Sequence, residues 1–275
     1  METKMSQTKE TSQVTIPAIL KMKARREPIA VLTAYDALMA GILDRSGIDI
    51  ILVGDSGGMV CGGHENTLSV TMEEMLFYCR SVKRGVKHAL LVADMPFLSY
   101  QTGKSDALRN AGRFLQEAGM QAVKLEGGQA VADIVKTMVD FGIPVMGHLG
   151  LTPQSIHQIG GYALQGKGSA AAEQMQKDAL LLQEAGAFSI VLEKIPAALA
   201  AEISASLSIP TIGIGAGNGC DGQVLVSHDL LGLFDKLRPK FVRRYAELGK
   251  SMMDAFEHYI ADVKNHKFPD ENESF

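Results

Sequence analysis

Ile50-Ile51-Leu52-Val53-Gly54-Asp55-Ser56 is the stretch whose reading decides the fold. Its apolar run is short, β-branched at Ile50, Ile51 and Val53, and has no polar alternation. That pattern fits a strand buried on both faces, as in a parallel sheet. The run stops at Asp55, whose carboxylate cannot be buried unpaired without cost. The same design returns in Leu90-Leu91-Val92-Ala93-Asp94, Ala122-Val123-Lys124-Leu125-Glu126 and Ser189-Ile190-Val191-Leu192-Glu193. Strands that each deliver a carboxylate at the C-terminal end point to a site where parallel strands converge.

Working outward, Thr15 is expected to cap a helix from Ile16 to Arg26, stopped near Pro28. Ile29 to Ala34 reads as the first strand and Ala37 to Arg45 as a helix closed by Gly47. The Asp55 strand leads into a glycine-rich loop, Gly57 to His64, and then a helix from Met72 to Arg84. After Asp94, Pro96 blocks further sheet, and Ser105 is expected to cap a helix running to Ala118. Gly127-Gly128 opens a helix to Asp140, and Pro144 to His148 reads as strand five. A long loop, Leu149 to Gly168, precedes a helix from Ala170 to Ala185. After Glu193, Pro196 starts a helix to Leu207, and Pro210 to Gly215 reads as strand seven. Gln223 to Ser227 fits an eighth strand or a helical turn, which periodicity does not separate. The tail from Lys240 to Lys264 reads as helical.

Short apolar strands alternating with amphipathic helices fit a closed (β/α)8 (TIM) barrel or an open doubly wound sheet. The barrel is favoured because Asp55, Asp94, Glu126, His148 and Glu193 all fall at strand C-termini, where barrel enzymes place their catalytic groups. An open sheet is served at its switch point by two or three strands. The expected organisation is an arm over residues 1–13 and one barrel domain over 14–275 with a helical tail. The chain has 275 residues and a net charge of −4, and 46% of it is hydrophobic, enough for one barrel core and without a nucleic-acid signal. The basic cluster Lys21 to Arg26 reads as a solvated helix face. Cys61, Cys79 and Cys220 are unpatterned, which suggests a reduced, cytoplasmic protein with no zinc motif. No apolar run approaches the ~18 residues of a membrane span, and residues 1–14 lack the apolar core of a secretory signal.

Asp55, Asp94 and Glu126 come from successive strands, and three converging carboxylates repel unless a cation lies between them. Hard oxygen ligands without cysteine point to magnesium. Against this stands the reading of each acid as an isolated cap or loop carboxylate. Lys124, two residues before Glu126, faces the same way and needs Glu126 or a substrate anion as partner. His148 fits a donor to a substrate oxygen or a satisfied core histidine. Glu193, across the mouth from the metal arc, suits a general base. Its bland reading, a pair with Lys194, is weakened because strand neighbours face opposite ways.

Gly161 to Gly168 has P-loop spacing but lacks the hydroxyl residue after Lys167, and no strand leads into it. Gly213 to Asn218 lacks the last glycine of a dinucleotide fingerprint, and its simplest role is backbone close to a ligand.

Several stretches together resemble the ketopantoate hydroxymethyltransferase family. They are Leu32 to Asp36, Val53 to Ser56, Ala93 to Phe97, Val123 to Gly128, Gly147 to Gln154, Val191 to Glu193 and Gly213 to Gly217. They run in family order from about residue 15 to the C-terminus. The resemblance implies a barrel of the phosphoenolpyruvate/pyruvate type that binds Mg2+. It implies hydroxymethyl transfer from 5,10-methylenetetrahydrofolate to 3-methyl-2-oxobutanoate, giving 2-dehydropantoate on the route to pantothenate and coenzyme A, and a homodecamer. By motif, Asp55, Asp94 and Glu126 match the metal shell and Glu193 the catalytic base. Asp55, Ser56, Asp94, Lys124 and His148 match positions that contact substrate. Gly57, where a larger apolar residue is usual, and Ser69, where proline is usual, depart from the pattern. Two other readings compete: a magnesium-dependent 2-oxo-acid lyase or mutase on the same barrel, and a non-catalytic barrel that senses a small anion.

Overall fold

The computed structural model describes residues 12–234 and 239–275. Most of the expected N-terminal arm lies outside the described residues. The strands are β1 (Ile29–Thr33), β2 (Ile50–Val53), β3 (Leu90–Asp94), β4 (Ala122–Glu126), β5 (Val145–Gly150), β6 (Ser189–Glu193), β7 (Thr211–Ile214) and β8 (Gly222–Leu225). They pair in parallel, in sequence order, and close into a barrel. The (β/α)8 expectation holds. The helices are α1 (Ile16–Arg25), α2 (Ala37–Arg45), α3 (Gly57–Val60), α4 (Met72–Gly85), α5 (Lys104–Ala118), α6 (Gln129–Asp140), α7 (Ile156–Ile159), α8 (Ser169–Glu184), α9 (Ala197–Ser206), α10 (Ser227–Leu230) and α11 (Leu248–Lys264).

Strand alternation divides the apolar residues between two cores. Ile50, Leu52, Leu90, Val92, Ala122, Met146, Val191 and Ile212 fill the barrel, with Ile19 of α1 in the same cluster. Ile51, Val53, Leu91, Val123, Leu125, Val145, Ile190 and Leu192 pack outward with helix residues such as Met75, Phe114 and Leu182. The inward series continues by twos onto polar side chains: Leu90, Val92, Asp94; Ala122, Lys124, Glu126; Met146, His148; Val191, Glu193. The pleat that builds the core therefore also aims the functional groups at one end of the barrel.

Local signals account for the boundaries. Thr15 accepts from Ala18 N–H as the expected cap of α1. Asp36 Oδ1 caps α2 by accepting from Leu38 and Met39 N–H at 2.8 and 2.9 Å. Thr71 and Glu74 form a reciprocal capping box on α4. Gly119, at φ +68, ends α5 as expected. Lys23 leaves the solvated face expected of its cluster, since Nζ pairs with Asp221 Oδ2 at 2.8 Å.

Several boundaries differ from the sequence reading. Gly103 takes the turn before α5, so Ser105 lies inside the helix and caps nothing. β5 runs on to Gly150, because its backbone stays paired with β6 as far as Glu193. The glycine-rich loop after β2 contains the four-residue helix α3. Residues 223–227 resolve into both alternatives, β8 and then α10.

The chain divides into two units, the barrel through Val224 and a second unit from Leu225 to Phe275. In the second unit the tail helix, α11, begins at Leu248, later than the expected Lys240. Among the described residues, no helix is long and apolar enough to cross a membrane.

Candidate active site

At the C-terminal ends of β2 to β5, Asp55, Asp94, Lys124, Glu126 and His148 are all buried. Asp55 sits in the turn just beyond β2, and the backbone between them carries Gly54. A Cβ at Gly54 would stand 2.7 Å from Ser56 Oγ and 3.4 Å from Asp94 Oδ2. The missing side chain lets the Asp94 carboxylate lie over the turn, where Oδ2 accepts the Asp55 N–H at 3.1 Å.

Lys124 Nζ lies 2.9 Å from Asp94 Oδ1. The partner expected for Lys124 was Glu126 or a substrate anion, and Asp94 takes that place because adjacent strands put positions 94 and 124 in register. Asp94 Oδ1 nevertheless has no aligned hydrogen bond, so the contact is an ion pair with an acceptor lobe left open. Burial opposes a charge on Lys124, but Asp94, Glu126 and Asp55 outweigh it and hold the ammonium well above its usual range. Burial, followed by the charges of Asp94 and Glu126, pushes Asp55 up to about 8 despite Lys124 and Gln154.

His148 joins the two halves of the cluster. Its Nδ1 lies 3.3 Å from Lys124 Nζ and 3.4 Å from Glu126 Oε1. Its Nε2 lies 3.3 Å from Glu193 Oε2. Burial and the Lys124 ammonium act against protonation, but Glu126 and Glu193 prevail and raise the imidazole to about 9. The Glu193 side chain is 17% exposed, against 5% for Glu126 and 6% for Asp94. Of these three acids, Glu193 therefore opens most to an entering molecule. Lys194 does not pair with it, and its Nζ donates instead to the Tyr162 carbonyl. Ser56 Oγ is 2.8 Å from Tyr35 OH.

The donor set suits a hard divalent cation: carboxylate oxygens, the open lobe of Asp94 Oδ1, and an Asp55 whose ionisation burial and like charges oppose. Among the described residues, no three such side chains already converge on one point. The reason is local, since the Gln154 amide holds Asp55 and the Lys124 ammonium holds Asp94.

A family model described as ketopantoate hydroxymethyltransferase matches residues 13–271. The chain belongs to the ketopantoate hydroxymethyltransferase family. The 3-methyl-2-oxobutanoate hydroxymethyltransferase of Syntrophus aciditrophicus is 55% identical, over 98% of this chain and 100% of that protein. Its namesake in Geobacter sulfurreducens is 57% identical, over 95% of this chain and 98% of that protein. Among solved structures, 2,3-dimethylmalate lyase, of the PEP mutase/isocitrate lyase superfamily, aligns with a TM-score of 0.60 at 15% identity, over 94% of this chain and 91% of that one. Phosphonopyruvate hydrolase, solved with oxalate and Mg++, aligns with a TM-score of 0.60 at 11% identity, over 94% of this chain and 93% of that one. These last two likenesses show the fold alone.

Two residues at the heart of this hydroxymethyltransferase-family cluster were not singled out from sequence. Gln154 Nε2 donates to Asp55 Oδ2 at 3.0 Å and to Met95 O at 2.9 Å, while its backbone N–H donates to Glu126 Oε2 at 3.0 Å. Tyr100 OH donates to Gln154 Oε1 at 2.8 Å and accepts from Glu126 N–H at 3.2 Å. Gln154 sits in the quoted family stretch, but an amide carries no charge signal. Tyr100 follows a turn that periodicity does not read.

The departures from the family pattern also find their places. A Cβ at Gly57 would stand 2.7 Å from Tyr35 Cδ1 and 3.3 Å from Tyr78 Cε2, so tyrosine rings fill the space beside it. Ser69 closes a 3-10 turn, Thr67–Ser69, that Asn66 caps by accepting from Leu68 N–H at 3.0 Å.

Proposed function

We propose that the protein transfers a hydroxymethyl group from 5,10-methylenetetrahydrofolate to 3-methyl-2-oxobutanoate and releases 2-dehydropantoate. The observation that carries this is the 55% identity to a hydroxymethyltransferase along its whole length. The strand-end cluster supplies chemistry suited to that reaction. Asp55 and Asp94 would hold Mg2+, with Glu126 behind them. Bound there, the ion supplies a Lewis acid for negative charge on the 2-oxo acid.

The chain's own residues do the rest. Lys124 and Ser56 bind the carboxylate end of the substrate. Glu193 takes the C3 proton, a step for which a positioned base is worth about 10²- to 10⁴-fold. His148 faces Glu193 through Nε2 at 3.3 Å, close enough for its charge to act on that carboxylate. In the transfer, the C3–H bond breaks, C3 bonds to the methylene carbon, both C–N bonds of the methylene bridge break, water supplies the hydroxyl, and tetrahydrofolate leaves with the protons from C3 and water on its two nitrogens. The protein does this in the cytoplasm, on the route to pantothenate and coenzyme A, as a homo-oligomer, a decamer by family resemblance. The apolar stripe of Met252, Phe256, Tyr259, Ile260 and Val263 on α11, exposed in the single chain, supports a self-assembling state.

The test is direct product analysis. The purified protein with Mg2+ and both substrates should form 2-dehydropantoate, and Glu193→Gln should stop it while the 2-oxo acid still binds. Product formation by Glu193→Gln at the native rate contradicts the assignment of the base.

A further inference from the structure

The mechanism leaves unused a charged side chain beside its base. Lys194 directly follows Glu193 and sits at φ +50, a left-handed conformation that is strained for a non-glycine residue. Such strain persists only where the surroundings hold it, and three contacts hold it here. Lys194 Nζ donates to the Tyr162 carbonyl. Its own carbonyl accepts the Gln165 N–H at 3.0 Å, and its N–H donates to Ile214 O at 2.8 Å. One residue thus ties the segment around Tyr162 to the ends of β6 and β7.

That segment has the parts of a hinged cover. Gly160 and Gly161 precede it at φ +77 and +135. Gly166 follows at φ +70, packed so closely that a Cβ would meet Leu199 Cδ2 at 2.8 Å. Between these points Tyr162 and Ala163 are exposed, and the clasp by Lys194 is the tie to the strand ends that the described contacts provide. Burial, and after it the charge of Glu193, shift the Tyr162 phenol upward.

We propose that Lys194 is a positioning residue whose ammonium clasps the 160–166 segment over the Glu193 side of the barrel mouth, and so limits exchange of solvent with the base. The proposal rests on the reading of Glu193 as that base.

The test uses the full chain with Lys194→Met, Lys194→Arg and Lys194→Gly. Glycine is the informative substitution: it accepts φ +50 without strain and keeps both backbone bonds, but lacks the ammonium. Backbone amides of residues 162–166 should exchange with deuterium about tenfold faster in the Met and Gly variants, with Arg restoring protection. The ratio of C3 deuterium uptake to product formed should rise about threefold or more in the same two variants. The melting temperature of Lys194→Gly should not fall. If Lys194→Gly matches the native protein in both ratio and amide exchange, the backbone shape alone matters and the clasp is overturned. Absence of C3 exchange in the native protein would instead overturn the role of Glu193, and amide exchange would still decide the clasp.

Discussion

Gln154 Nε2 donates to Asp55 Oδ2 across 3.0 Å, joining residues separated by 99 positions of chain. The same amide nitrogen reaches Met95 O, also an acceptor, so this end of the side chain must be the NH2 group. Gln154→Leu keeps the volume but removes these partners. It leaves Met95 O and Tyr100 OH without their Gln154 bonds, a loss of about 1–3 kcal/mol each at most. The urea midpoint should fall, and activity should fall further than stability because Asp55 loses its restraint.

The Asp94–Lys124 pair makes a prediction about the metal. Breaking a buried pair from one side costs about 3–5 kcal/mol, since the remaining charge is uncompensated. Lys124→Met should therefore be destabilised without added metal. Mg2+ should raise its melting temperature more than that of the native protein, because the cation replaces the missing positive charge among Asp55, Asp94 and Glu126. A chelator should reverse the rise. Equal responses in the two proteins would speak against these acids as the cation site.

Asp44 provides the pH dependence. Burial acts to raise its pKa, yet the N–H groups of Ala89, Lys87 and His88 bond the carboxylate at 2.8 to 3.0 Å and hold it below its ordinary value. A carboxyl with a depressed folded-state pKa contributes stability that is full above its unfolded pKa and is lost as pH falls through the folded value. Asp44→Ala should thus lower stability by about 2–4 kcal/mol at pH 7, from the charged hydrogen bonds lost at these three N–H groups. Its deficit against the native protein should shrink as the pH drops below about 4. Urea midpoints across that range check both statements.

Gly57 predicts a steric effect. Gly57→Leu drives a side chain into the ring of Tyr35, and overpacking of this kind costs about 1–3 kcal/mol. Displacing Tyr35 also frees Ser56 Oγ. The substrate KM should therefore rise, and Tyr35→Ala in the same chain should restore part of the lost stability.

Much of this architecture was legible because the strands announce themselves. Val92 and Asp94, or Lys124 and Glu126, alternate by twos, so one pattern sets both burial and direction. The acids and His148 could be read for the same reason. What the sequence hid was pairing across strands. Lys124 meets Asp94 through register, and register depends on barrel shear rather than on local spacing. Gln154 and Tyr100 stayed hidden because neutral polar groups in turns leave no periodic trace. Boundaries failed where two caps competed, as at Gly103 before Ser105, and where pairing outlasted pattern, as in β5.

The central claim is that Glu193 removes the C3 proton beside a metal held by the strand-end aspartates. Solvent deuterium exchange at C3 of 3-methyl-2-oxobutanoate, with Mg2+ and without folate, tests it most directly. The account predicts exchange that stops on adding a chelator and is absent from Glu193→Gln. Full exchange in Glu193→Gln, or none in the folded, Mg2+-supplied native protein, would contradict it.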